Sequence, residues 1–249
     1  MSSDSTLPVP GKQRLDVAMA ARGMVSSRSQ AESYVRLGQV KVNGRAAAKS
    51  GQLVSETDDI KLLAEEQYVG RAALKLKSAA ELFQLNFAGK TVLDVGSSTG
   101  GFTQYALVHG ATKVIAVDVG TNQLHTSLRG DARIELHEKT DIRDFTTREH
   151  IDMVVSDVSF ISLREILPYV ASLVDVRTDI VAMVKPQFEA GQSSLKHKGV
   201  IKNDKMRRDI LKDFETWALQ QFRVLQKADS GVAGSKGNVE RFYLLRKLA

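Results

Sequence analysis

The stretch Val92-Leu-Asp-Val-Gly-Ser-Ser-Thr-Gly-Gly-Phe102 constrains this chain more than any other. An apolar run carrying one acid, Asp94, ends in a glycine turn, and the turn opens a helical pattern. Glycine admits left-handed backbone and leaves no side chain in the way, so a ligand can lie against such a corner. The spacing discriminates between nucleotide classes. A dinucleotide fold would want G-x-G-x-x-G, and a P-loop would want a G-K-S/T ending. Here Gly96 is followed by Gly100-Gly101, with no lysine to hold phosphates. That spacing favours S-adenosylmethionine. The plainer reading is a strand–turn–helix corner whose glycines serve packing alone.

A chain of 249 residues, 43% of them hydrophobic, has room for one large or two smaller domains with a sizeable core. It has no cysteine. Disulfide and thiolate chemistry are excluded, and no cysteine or clustered histidine offers a metal site. Residues 1–10 show neither the basic nor the apolar region of a secretory signal, and no apolar run of about 18 residues is present to span a bilayer. A cytoplasmic protein without a membrane partner is expected.

Charge is unevenly placed. The formal net charge is +6, and residues 12–49 alone hold eight Lys/Arg against two acids, leaving 27 basic and 27 acidic residues elsewhere. The whole excess sits in one N-terminal block, as in a module that touches phosphates. A second cluster, from Lys196 to Lys212, points the same way. A solvated helix face is the plainer reading of either cluster alone.

Within the first block, Arg14–Arg22 has helical periodicity and stops at Gly23. Ser27 and Gln30 form a capping-box pattern that starts a helix ending at Gly38. Gln39-Val-Lys-Val42 alternates like a strand. Asn43-Gly44 is the strongest short hairpin signal, because a type I′ turn needs positive φ twice. Residues 12–63 resemble the S4 RNA-binding domain, on Arg14-Leu-Asp16, Gly23, Ser27-Arg28, Ala31, Gly38, Val40-Lys-Val-Asn-Gly44, Lys49 and Asp59-Ile60. The resemblance implies recognition of structured RNA by shape and phosphate contacts, with Arg14, Arg22, Arg28, Arg36, Lys41, Arg45 and Lys49 as candidate RNA-binding residues.

Residues 64–70 read as a linker, after residues 1–11 as a flexible N-terminus. From Arg71 to Leu85 the pattern is helical, with Ala72, Leu76, Ala79 and Phe83 on one face and Lys75 at its margin. Beyond the glycine corner, strands alternate with helical stretches. The strands are Val114–Asp118, Ile134–Leu136, Met153–Asp157, Ile180–Lys185, Phe222–Leu225 and Arg241–Leu245. That alternation predicts an α/β fold with a mostly parallel, doubly wound sheet whose ligands lie outside the carboxyl ends of its strands. Asp118, Asp157 and Lys185 all stand where an apolar strand stops, so one crevice should collect them. Asp118, about 20 residues beyond the loop, suits ribose hydroxyls. Asp141 suits an adenine amino group. Singly, each acid could equally be a helix N-cap.

The order Lys75, Asp157, Lys185 and Glu240, together with the glycine corner, resembles the K-D-K-E tetrad of FtsJ-like ribose 2′-O-methyltransferases. With the S4-like block, residues 12–247 resemble the TlyA family of rRNA methyltransferases. Supporting stretches are Gln67–Leu76, Gln123-Leu-His125, Ser156–Leu163, Val184–Glu189 and Gly237–Phe242. The resemblance implies a Rossmann-like class I methyltransferase domain over residues 71–249. It also implies S-adenosylmethionine as cofactor, ribosomal RNA or ribosomal subunits as partner, and no metal. The cofactor-binding residues would be Asp94, Gly96, Ser97, Ser98, Thr99, Gly100, Gly101, Phe102, Asp118, Asp141, Ile142 and Asp157. The catalytic residues would be Lys75, Asp157, Lys185 and Glu240.

A ribose 2′-hydroxyl is a poor nucleophile at neutral pH, so its proton must leave or be strongly polarised during attack. Lys185 is the candidate, as a base or as a charge that stabilises the forming alkoxide. Burial and Lys75 would lower its affinity for a proton, whereas Asp157 and Glu240 oppose that. Residues between Pro186 and Asn203 read as a mobile loop at the crevice mouth. Two other functions compete: a non-catalytic RNA-binding or ribosome-assembly factor, and a membrane-active haemolysin, a label that members of this family carry. The complete tetrad argues against the first, and the lack of an amphipathic or spanning segment against the second.

Overall fold

In the N-terminal unit the paired strands are short, and helical packing supplies much of the core. In the computed structural model, residues 11–25, 27–36, 38–63, 68–190, 200–201, 203–232, 234 and 237–249 are described. Nearly all of the expected N-terminal tail, residues 64–67 of the expected linker, and residues 191–199 and 202 of the expected loop lie outside them. Contacts divide the chain into two units, Met1–Arg71 and Ala72–Ala249.

The first unit runs β1 (Lys12–Arg14), α1 (Leu15–Ala21), α2 (Arg28–Arg36), β2 (Val40–Val42), β3 (Arg45–Ala46), β4 (Leu53–Ser55) and β5 (Ile60–Leu62). Strand β1 pairs with β4, and β3-β2-β5 form a three-stranded antiparallel sheet. Leu15, Ala18 and Met19 of α1 and Ala31, Tyr34 and Val35 of α2 are buried, with Val40, Val54 and Ile60 from the strands. Asn43 and Gly44 take φ of 50° and 78° and join β2 to β3 in a two-residue turn, the hairpin that their pairing predicts. The Asn43 side chain also donates to Asp58 Oδ1 and accepts from the Asp59 backbone, tying the turn to the strand opposite. At the start of α2, Ser27 Oγ accepts from Gln30 N at 3.2 Å, one half of the expected capping box. The Gln30 side-chain amide donates to the Tyr68 carbonyl.

The second unit runs α3 (Ala72–Phe83), β6 (Thr91–Val95), α4 (Gly101–Val108), β7 (Lys113–Val117), β8 (Ile134–His137), β9 (Met153–Ser156), α5 (Leu163–Ser172), β10 (Asp179–Val184), α6 (Pro186–Glu189), α7 (Asp204–Ala218), β11 (Phe222–Asp229) and β12 (Arg241–Lys247). Its seven strands stand in the order β11-β12-β10-β9-β6-β7-β8. Strands β6 to β10 are parallel, and β12 runs antiparallel to both β10 and β11. The inner strands are nearly unbroken runs of Val, Ile, Leu, Ala and Met because helices cover both faces, as expected of buried parallel strands. Leu93, Val95, Ile115, Val154, Ile180, Ala182 and Val184 join Ile166, Leu167, Phe214 and Tyr243 in one core. The chain leaves β6 toward β7 on one side, and β9 returns on the other, so the strand order reverses at β6. Ligand crevices form at such a switch point.

Candidate active site

The glycine corner stands at that switch point. Gly96 takes φ of 82°, and a Cβ there would meet Val158 at 3.1–3.2 Å, so the backbone passes close to the β9–α5 loop because it is bare. Ser98 is also left-handed, with φ of 45°. Asp118, just past β7, holds this shape: its carboxylate accepts from Ser98 N at 2.8 Å and Gly120 N at 2.6 Å. A cleft of about 300 Å³ opens beside it, lined by Gly96, Ser98, Asp118, Asp141, Asp157 and Ser159, with Val119, Ile142, Phe160 and Ile161 as its apolar wall. Three buried polar atoms near the carboxyl end of β6, Asp94 Oδ1, Ser97 Oγ and Ser156 Oγ, have no hydrogen-bond partner among the described residues. A mostly apolar cleft with a few convergent polar groups suits a nucleoside-sized ligand.

Beside the cleft four charged side chains meet. Lys75 on α3 is buried, and its Nζ lies 2.5 Å from Glu240 Oε2 and 4.0 Å from Asp157 Oδ2. Asp157, following β9, lies 2.6 Å from Lys185 Nζ through Oδ1. Lys185, following β10, also donates to Ser159 Oγ at 2.7 Å. Glu240 precedes β12 and is 3% exposed. The order Glu240–Lys75–Asp157–Lys185 alternates in sign, so each buried charge has an opposite neighbour. That alternation is what makes four ionisable groups tolerable at so little exposure.

The FtsJ-like methyltransferase family model matches residues 68–247, and the S4 domain model matches residues 13–60. The chain belongs to the FtsJ-like methyltransferase family. It is 37% identical over 241 residues to the 16S/23S rRNA (cytidine-2′-O)-methyltransferase TlyA of Mycobacterium tuberculosis, spanning 94% of this chain and 90% of that one. It is 45% identical over 190 residues to the 23S rRNA (cytidine-2′-O)-methyltransferase TlyA of Campylobacter jejuni, spanning 75% and 74%. A Streptococcus thermophilus structure described as a hemolysin aligns with a TM-score of 0.70 at 36% identity, over 96% of this chain and 90% of that one. Among the described residues no helix is long and apolar enough to cross a membrane.

The glycine-corner residues of this methyltransferase separate into two groups. Gly96, Ser98, Asp118, Asp141, Ile142 and Asp157 line the cleft. Asp94, Ser97, Gly101 and Phe102 are buried, and with Thr99 and Gly100 they are not among its lining residues. Gly100 and Gly101 do the packing work of the plainer reading. A Cβ on Gly101 would come within 2.9 Å of Ala72 Cβ and Ala73 N, and one on Gly100 would strike Leu124 and Leu128. Phe102 packs against Phe242 in a tilted pair with centroids 6.3 Å apart. Asp141 is held by Arg143, whose guanidinium donates to both carboxylate oxygens. Sequence reasoning missed Val119, Ser159, Phe160 and Ile161 in the wall. It also missed Glu189, whose buried carboxylate accepts from Ser162 Oγ at 2.6 Å and Leu163 N at 2.7 Å and so joins α6 to the β9–α5 loop. Ser159 and Glu189 lie in stretches matched as motifs, but neither spacing nor periodicity distinguishes them.

Asp94 is fully buried, and burial pushes its carboxyl up to about 7, with Asp157 adding to the rise and the hydrogen bond from Thr103 Oγ1 at 2.6 Å opposing it. A carboxyl raised in the folded state contributes stability that is complete below its unfolded value, near 3.8. That stability is lost as pH climbs through about 7. Asp94→Asn should therefore flatten the decline in stability between pH 4 and 7. Denaturant unfolding across that range checks it, and an unchanged slope in the variant would contradict it.

In the S4 unit the candidate cations also divide. Arg14 and Arg28 converge on buried Asp16, at 2.8 and 3.3 Å, and hold its carboxyl below the usual range, chiefly through the hydrogen bond from Arg14. Arg22 donates to the carbonyls of Ser55, Glu56 and Asp58, stitching α1 to the β4–β5 turn. Arg36 pairs with Glu32 one turn back. Lys41, Arg45 and Lys49 have no ion-pair partner among the described residues.

Proposed function

We propose that this methyltransferase transfers the methyl group of S-adenosylmethionine to ribose 2′-hydroxyls of ribosomal RNA. In this reading residues 12–63 dock the RNA, residues 71–249 carry the chemistry, and the protein works in the cytoplasm without a metal. The observation that carries it is the buried alternation of Lys75, Asp157, Lys185 and Glu240 beside the cleft. The names of the two TlyA relatives support the acceptor.

The residues present fit the cofactor. Gly96 and Ser98 offer close backbone, and the unpartnered Ser97 Oγ and Asp94 Oδ1 mark polar capacity behind it. Asp118 spends two of roughly four acceptor sites on backbone N–H groups and keeps the others for ribose hydroxyls. Asp141 and Ile142 would hold the adenine. The bound cofactor supplies an electrophilic methyl on a cationic sulfur. Lys185 stands at the attacking oxygen. As an amine it takes the hydroxyl proton, and as an ammonium it stabilises the alkoxide. Asp157 fixes Lys185, while Lys75 and Glu240 position the ribose. Alignment of the acceptor supplies much of the acceleration.

The test is to incubate the protein with labelled S-adenosylmethionine and either ribosomal subunits or naked ribosomal RNA, and then map the modified positions. Label on ribose 2′-oxygens is expected; label on bases or protein alone would overturn the reading. The S4 unit makes a separate prediction. The Lys41→Glu/Arg45→Glu variant should bind RNA more weakly at all sequences, with the salt slope reduced by about one to two. A wild-type slope would remove these cations from the interface.

A further inference from the structure

Lys185 is buried and is not among the residues that line the cleft, whereas Ser159 is exposed and lines it. The Lys185 amine has three surrounding oxygens. Asp157 Oδ1 lies at 2.6 Å, Ser159 Oγ at 2.7 Å and the Asp157 carbonyl at 3.5 Å. A single ion pair fixes the distance of an amine but leaves it free to rotate about its Cε–Nζ bond. A second acceptor at hydrogen-bond distance removes that rotation.

The serine is itself held. Phe160, next in the chain, takes φ of 67°, unusual for an aromatic residue, and turns the backbone directly after it. Glu189 then ties Ser162 and Leu163 to the helix that follows Lys185, and the Phe160 and Phe188 rings meet at 5.3 Å. The loop carrying Ser159 and the segment following Lys185 are thus joined again just beyond their hydrogen bond.

We infer that Ser159 is a positioning residue for methyl transfer, whose hydroxyl aims the Lys185 amine at the attacking ribose oxygen. The inference rests on the methyl-transfer reading above and adds to it a residue that acts through Lys185. Its hydroxyl acts on the rate through the direction of the amine, and its place in the cleft wall can touch only cofactor affinity.

The experiment compares wild type, Ser159→Ala, Ser159→Thr and Lys185→Ala in steady-state methyl transfer to ribosomal RNA, with thermal unfolding of each. Ser159→Ala should lower kcat about 30-fold, the worth of one hydrogen bond to a charged group. KM for RNA should stay within about twofold, as expected when only rate-relevant orientation is lost. Ser159→Thr, which keeps the hydroxyl, should recover most of the rate, and the unfolding temperature should hold because the side chain is exposed. An active wild type and inactive Lys185→Ala beside a fully active Ser159→Ala would overturn the assignment of Ser159 alone, as would a loss confined to KM or a threonine no better than alanine. A wild type that transfers no methyl to RNA would overturn the methyl-transfer reading itself.

Discussion

Lys185→Ala is expected to lower methyl transfer by about 10³-fold or more, the range lost with a general acid or base, while cofactor affinity stays nearly unchanged. The expectation follows from position. Lys185 reaches Asp157 and Ser159 but does not line the cleft, so its removal takes away the group that acts on the hydroxyl without altering the cofactor's walls. Stability should suffer little, because Asp157 keeps Lys75 at 4.0 Å. Rapid-quench turnover and calorimetric titration of S-adenosylmethionine check both halves. Wild-type turnover in this variant would reject the mechanism.

Lys75→Met should cost stability as well as activity. It strands Glu240, 3% exposed, without its partner at 2.5 Å, and breaking one side of a buried pair costs about 3–5 kcal/mol. Replacing both partners, as Lys75→Met/Glu240→Gln, removes the stranded charge and should restore much of that loss. On the proposed mechanism activity should not return, since both charges assigned to placing the ribose are gone. Denaturant unfolding of the two single variants and the double variant forms the cycle. Additive losses would mean that the pair is not coupled in the folded protein, contrary to its geometry.

The parts of this protein most legible in its sequence are those ruled by local periodicity. Strand ends located Asp118 and Asp157 on the cleft and Lys185 beside it, because a parallel sheet delivers its carboxyl ends to one side. Asn43-Gly44 announced its hairpin through backbone conformation alone. Lys75 shows where such reasoning ends. By pattern it is a lysine at the margin of an apolar helix face, and its burial follows from a partner 165 residues away. Gln30 is similar, since its side-chain amide reaches the carbonyl of Tyr68, 38 residues on, which no local pattern announces. Gly100 and Gly101 look like ligand glycines in one dimension, but the close approach that they permit is to Leu124, Leu128, Ala72 and Ala73.

Strand β12 runs against its neighbours and brings Glu240 to the same end of the sheet as Asp157 and Lys185. Until that strand has docked on β10, Lys75 faces no glutamate. A chain in which β12 has peeled away from β10 therefore keeps three of the four groups together and cannot complete the array. Assembly of the four charges is thereby tied to the docking of one antiparallel strand.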